Sequence, residues 1–209
     1  MINGQMVLAV IPARGGSKRC PRKNLREFSG KPLIQLAWEK ARDSRYIDIV
    51  ILSTEDAEIR EFAKHHVTVI RRPDRLATDA ATNEDVMRHA LTLIESEWIV
   101  LLQPSSPLRW AHDIDACIEI AQPSRHDDIT TCISVRQSDG SKNGAVYVAR
   151  SQWLLEGHNF DEPYRPYRMP DTRSLDIDFP EQFGDDNEAL KAAELIEGDR
   201  RILRSLAHG

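Results

Sequence analysis

The chain is 209 residues long, 41% hydrophobic and 29% charged, enough for one substantial core and short for two. Its formal net charge of −5 argues against general nucleic-acid binding, which needs a broad basic field. No segment approaches the ~18 apolar residues of a membrane span, the N-terminus lacks the regions of a signal peptide, and three cysteines without C-x-x-C or zinc-type spacing fit a reducing, cytoplasmic setting.

In chain order, the apolar run 7–12 predicts a buried strand that empties into a cationic loop. Gly15 and Gly16 have no Cβ, so backbone N–H groups there can approach an anion, and Arg14, Lys18, Arg19, Arg22 and Lys23 surround them with positive charge. The loop fits a polyphosphate; a solvated basic turn is the bland alternative. It is neither a G-x-x-x-x-G-K-[ST] loop nor a dinucleotide G-x-G-x-x-G.

Helical patterns at 33–43, 57–66 and 83–96 alternate with short apolar runs at 47–53, 67–70 and 98–103. A further helix at 114–121 leads to strands at 129–135 and 145–149, and an amphipathic helix is expected at about 187–207. This alternation predicts an α/β domain spanning the whole chain: a Rossmann-like, mostly parallel mixed sheet flanked by helices. Ligands of open α/β sheets sit outside the carboxyl ends of the strands, which gathers the 14–23 loop, the 53–56 turn and the 103–109 loop on one rim.

Three further segments carry candidate chemistry. Gln103, Ser105 and Ser106 lie in a loop stiffened by Pro104 and Pro107, able to face a ligand or to form a rigid turn capping the helix that starts near Asp113. The polar loop from Arg72 to Asn83 reads as a linker in which Asp79 or Asn83 caps the next helix. Asp176 and Asp178 stand two apart, so an extended segment would turn both carboxylates to one Mg²⁺; alternatively they end a strand or cap a helix beginning near Phe179.

The pattern P-A-R-G-G-S-K-R-x-P-x-K-N over residues 12–24 resembles the signature of cytidylyltransferases that activate nonulosonic acids, the CMP-sialic acid synthetase family with its pseudaminic and legionaminic relatives. L-L-Q-P-S-S-P-L-R at 101–109, N-G-A-V-Y at 143–147 and M-P followed by S-L-D-I-D at 169–178 resemble other elements of that family in the expected order. The resemblance implies transfer of CMP from CTP to a sialic-type acid with release of pyrophosphate, supported by Mg²⁺ (or Mn²⁺) on Asp176 and Asp178. It implies nucleotide contacts by Ala13, Arg14, Gly15, Gly16, Ser17, Lys18 and Asn24, catalytic roles for Arg14, Lys18, Lys23, Asp176 and Asp178, and sugar contacts by Gln103, Ser105, Ser106 and Asn143. Arg72, Ala81 and Asn83 fall on base-contacting positions of a family segment whose threonine is Ala80 here and whose two serines are Thr82 and Asn83.

One departure stands out. Between Val135 and Asn143 the chain has only residues 136–142, where the family carries an extension that helps build the sugar pocket and the dimer interface, so homodimer formation is left open. Arg165 and Arg168, with Tyr164 and Tyr167, are the expected substitute clasp for a sugar carboxylate, a surface loop being the alternative. Two rival readings accompany this one: a nucleotidyltransferase for another acidic sugar, and a catalytically silent nucleotide-binding paralogue. Retention of both aspartates beside the full basic loop speaks against silence.

Overall fold

A computed structural model describes residues 1–123 and 128–183. The helix expected at 187–207 lies outside them. In chain order the elements are β1 Val7–Pro12, a small hairpin of β2 Glu27–Phe28 and β3 Lys31–Pro32, α1 Leu33–Arg42, β4 Ile49–Thr54, α2 Ala57–Ala63, β5 Thr68–Arg71 and α3 Asn83–Leu91. There follow β6 Trp98–Leu101, α4 Ala111–Ile120, β7 Thr131–Arg136, β8 Lys142–Arg150, α5 Ser151–Leu155 and β9 Arg165–Met169.

Seven strands form one mixed sheet in the order β5-β4-β1-β6-β8-β7-β9. β1 pairs parallel with β4 on one side and β6 on the other, which makes it the switch point of the strand order. Its residues are buried on both faces: Val7, Ala9 and Ile11 join one apolar cluster with Ile34, Trp38 and Ile118, while Leu8 and Val10 join a second with Val86, Met87 and Leu154. Strict alternation in a central strand therefore serves two cores, one under α1, α2 and α4 and one under α3 and α5. Among the described residues, no helix is long and apolar enough to cross a membrane.

α2 and α3 are shorter than their apolar periodicity predicts. α2 stops at Ala63, where His66 N–H turns back to the Ala63 carbonyl and Arg42 engages the His66 carbonyl. α3 stops at Leu91, where the Thr92 hydroxyl donates to the His89 carbonyl (2.7 Å) and Leu93 turns outward. α3 is capped by Thr82, which accepts from Asp85 N–H in a reciprocal capping box, so neither Asp79 nor Asn83 plays that part.

Between β7 and β8, where the family it resembles carries an extension, the chain makes a tight turn at 137–141, closed by Arg136 N–H to the Ser141 carbonyl (2.8 Å), with Gly140 at φ +74°. β9 occupies the segment read as a clasp or loop; it runs parallel to β7 at the sheet edge, where Pro166 is tolerated.

Candidate active site

The cationic loop begins as a continuation of β1, because Ala13 N–H still donates to the Ser53 carbonyl on β4 (2.9 Å). The buried Asn24 amide then donates to the Arg14 carbonyl (2.9 Å) and holds the loop in a compact arch. The turn after β4 grips the arch from outside. Glu55 accepts from Gly15 N–H (2.8 Å), and Asp56 pairs with Arg22 (2.8 Å) while also capping α2 through Glu58 and Ile59 N–H. A Cβ on Gly15 would stand 2.2 Å from Asp56 Oδ2, so the close approach requires glycine. The Arg22 guanidinium holds the Asp56 carboxyl below its usual range.

Beyond the carboxyl ends of β1 and β6 lies a cleft of about 410 Å³ lined by Arg14, Lys23, Asn24, Arg72, Ala81, Asn83, Gln103, Ser105, Asp176 and Asp178. An adjoining recess is lined by Ser17, Lys18 and Arg19. The basic loop, the 72–83 loop, the 103–109 loop and the D-x-D segment thus share one hollow. Its cations are balanced by carboxylates: Arg14 (2.8 Å) and Lys18 on Asp79, Arg19 (2.9 Å) and Lys23 (3.3 Å) on Asp178.

The D-x-D segment is irregular rather than a strand, yet both carboxylates line the cleft. Ile177 N–H donates to the Ser105 carbonyl (2.8 Å) and Lys23 to the Ile177 carbonyl (2.9 Å), which joins the segment to two neighbouring loops. Gln182, not an aspartate, caps the turn that follows, accepting from Asp178 (2.7 Å) and Phe179 (2.8 Å) N–H. Burial pushes the Asp176 carboxyl above its usual range, opposed by a hydrogen bond from Ser105 and reinforced by the charge of Asp178. Asp176 Oδ1 is buried without a hydrogen-bond partner. Two carboxylates, one with an orphaned oxygen, suit a hard divalent cation that takes its remaining ligands from phosphate and water. Among the described residues no three His, Cys, Asp or Glu side chains gather into a closed protein site.

The structure places several of the site residues expected from sequence away from the cleft surface. Ser106 is fully buried, with its hydroxyl 3.5 Å from the Asn143 carbonyl, and lies under the cleft floor. Asn143 is equally enclosed: its oxygen accepts from the Ser134 hydroxyl (2.6 Å) and Ala145 N–H (3.1 Å), and its amide donates to Ser174 (2.9 Å). Both lie in the floor beneath the residues that line the cleft. Arg165 pairs in register with Cys132, at the end of the sheet away from the cleft, and donates to the Ile120 (2.7 Å) and Gln122 (2.5 Å) carbonyls at the C-terminal end of α4. Arg168 is exposed beside the 137–141 turn, 3.4 Å from the Gln137 carbonyl. No carboxylate clasp forms there. Gly15 shapes the loop but its N–H is engaged by Glu55; Gly16 and Ser17 carry the outward backbone of the arch, and a Cβ on Gly16 would meet nothing within 4 Å.

Other supporting residues escaped the sequence reading. The buried Arg109 donates to the Gln103 (2.7 Å) and Ala145 (2.8 Å) carbonyls and stiffens the 103–109 loop; burial pulls its guanidinium down to about 9, still cationic at neutral pH. Glu55 and Arg173 are also structural partners of the site. An acidic residue at the carboxyl end of a central strand was the available signal for Glu55; nothing local marks Arg173.

The family model described as cytidylyltransferase matches residues 8–152, from β1 through the start of α5. The chain belongs to the cytidylyltransferase family. It is 29% identical over 211 residues to an N-acylneuraminate cytidylyltransferase of Streptococcus agalactiae serotype V, covering 84% of this chain and 51% of that protein. The chain thus spans about half the length of that relative. It is also 29% identical over 217 residues to the CMP-N,N'-diacetyllegionaminic acid synthase of Legionella pneumophila, covering 83% of this chain and 91% of that one. Its fold matches a CMP:2-keto-3-deoxy-manno-octonic acid synthetase solved with CTP, with a TM-score of 0.69 at 16% identity over 93% of this chain and 99% of the other.

Proposed function

We propose that this cytidylyltransferase transfers CMP from CTP to a nonulosonic, sialic-type acid and releases pyrophosphate. The observation that carries the reading is the single cleft in which the Arg14–Lys18–Lys23 cations face Asp176 and Asp178 across the polar Arg72–Asn83 and Gln103–Ser105 loops. In this reading the anomeric hydroxyl of the acid attacks the α-phosphorus in line as pyrophosphate departs.

Arg14 and Lys18 receive the β- and γ-phosphates, exchanging their contacts with Asp79 for the more highly charged triphosphate. Lys23, half-enclosed and tied to Asp178, lies where charge develops as pyrophosphate leaves. Arg72, Ala81 and Asn83 border the base, and Gln103 with Ser105 borders the sugar. Asp176 and Asp178 would hold Mg²⁺ or Mn²⁺, which when bound neutralises phosphate charge and orients the phosphoryl oxygens. CTP is drawn from the cytoplasm, the compartment to which the free buried cysteines Cys20, Cys117 and Cys132 are suited.

Pyrophosphate release from CTP, measured with N-acetylneuraminic, legionaminic, pseudaminic and 3-deoxy-octulosonic acids and with no acid, tests the reading. Acid-dependent release with a nine-carbon acid is expected. Release with the eight-carbon acid alone would assign another acidic sugar, and nucleotide binding without release with any acid would mark a silent paralogue.

A further inference from the structure

The carboxylate of Glu55 touches both the phosphate loop and the loop after β5, two loops that otherwise meet through Arg14 and Lys18 on Asp79. Its Oε1 accepts from Gly15 N–H (2.8 Å) on the phosphate loop, and its Oε2 accepts from Arg72 Nη2 (2.7 Å) and Nε (3.3 Å) on the loop after β5. Glu55 itself follows directly on β4, whose final carbonyl, that of Thr54, accepts from Arg72 N–H (3.0 Å). Arg72 is nearly buried, with a side chain 4% exposed against 18% for Glu55. A guanidinium in that position is tolerated only with a close counter-charge, and an ionised carboxylate, which can only accept, dictates which edge of the fork it holds.

We propose that Glu55 is a positioning residue for base selection: one carboxylate sets the distance between the phosphate loop and Arg72 and fixes the Arg72 fork, so that the cleft is shaped for cytosine before nucleotide enters. This rests on the cytidylyltransferase reading and adds the residue that enforces its base choice. With Nε and one Nη2 hydrogen engaged by Glu55, the remaining guanidinium N–H groups, chiefly those of Nη1, are left to meet a base in the cleft that Arg72 lines. A fixed donor beside the pyrimidine N3 accepts cytosine, where N3 is an acceptor, and rejects uracil, where N3 carries a hydrogen. A freely rotating arginine would move away from that hydrogen and lose the distinction. The glutamate must also span both partners. Asp56, one residue on, cannot substitute, because its oxygens are engaged by Arg22 and the α2 N-terminus.

The test is equilibrium titration of the full chain with CTP and with UTP in Mg²⁺ buffer, for wild type, Glu55→Gln, Arg72→Met and the double variant. Glu55→Gln has the same length but cannot accept from both Arg72 and Gly15, so the CTP-over-UTP preference should fall about tenfold, as loss of one charge-assisted contact implies. In the Arg72→Met background the same change should alter the preference by less than about twofold, because the effect runs through the arginine. Glu55→Asp keeps the charge and shortens the reach, and should also lose preference if the amide variant does not fold. A wild type that binds neither nucleotide would overturn the cytidylyltransferase reading and this proposal together. A wild type selective for CTP, whose selectivity survives in Glu55→Gln or Glu55→Asp while the melting temperature alone falls, would overturn only the role given to Glu55.

Discussion

Arg173 donates through Nε (3.1 Å) and Nη2 (2.5 Å) to the carboxylate of Asp113, and neither side chain reaches solvent. Tyr167 donates its hydroxyl to the same carboxylate (2.8 Å), and the Arg173 guanidinium lies 4.0 Å from the Trp110 ring centre. Arg173 stands three residues before Asp176, so this pair anchors the D-x-D segment to the first turn of α4 and to β9.

Breaking that anchor leaves a buried charge unpaired. Arg173→Met and Asp113→Asn should each destabilise the protein by about 3–5 kcal/mol, read as a shift of the urea midpoint at constant slope. The double apolar replacement Asp113→Leu with Arg173→Met should lose less than either single change. Equal and additive losses would mean that the two side chains do not act as a pair.

Asp176 should be required for turnover yet unfavourable for folding. Its carboxyl is raised in the folded state by burial. A raised acid binds its proton more tightly when folded, so the stability it confers is complete below the ordinary aspartate range and is lost as pH rises through the folded value. Asp176→Asn should therefore raise the metal-free melting temperature at pH 7, with the gain vanishing in acid below the ordinary aspartate range, while Mg²⁺-dependent pyrophosphate release disappears. Melts from about pH 2.5 to 8 alongside a Mg²⁺ titration decide both halves, and unchanged metal dependence would exclude Asp176 as a ligand.

Gly144 faces the same carboxylate. At φ +76°, a Cβ there would stand 2.8 Å from Gln103 Oε1 and 3.3 Å from Asp176 Oδ2. Gly144→Ala should cost about 1–2 kcal/mol in backbone strain and, by displacing both side chains, lower kcat/KM on the order of tenfold. Gly30→Ala is the control: φ is +77° but a Cβ would meet nothing within 4 Å, so stability should fall while kcat/KM stays within about twofold of wild type.

Arg14 and Lys18 bear on charge rather than packing. Their partner Asp79 is half exposed, and solvent-screened surface pairs of this kind contribute little to stability. Arg14→Ala and Lys18→Ala should leave the melting temperature nearly unchanged and lower kcat/KM with CTP on the order of a hundredfold. Retention of near-normal turnover in either would remove that side chain from the phosphate site.

The alternating architecture was legible because hydrophobic period is a local property: the all-apolar β1 and the helix-spaced Leu33, Ile34, Ala37, Trp38 and Ala41 of α1 state their burial without reference to the rest of the chain. The cationic loop and the D-x-D segment were visible as local patterns, each with a bland alternative as a solvated turn or a strand end, and it is the fold that brings them to one cleft. What only the tertiary structure decided was partnership. Arg165 and Arg168 resemble a clasp until the parallel register of β9 on β7 carries the first to the C-terminal end of α4 and the second to the outer turn. Nothing local shows that Ser106 and Asn143 are enclosed; the 103–109 loop folding onto β8 buries them. Glu55 with Arg72 and Asp113 with Arg173 join residues 17 and 60 positions apart. A side chain's chemistry is written where it stands in the chain, whereas its direction depends on strand register and loop closure, which are set by long-range pairing that no local pattern encodes.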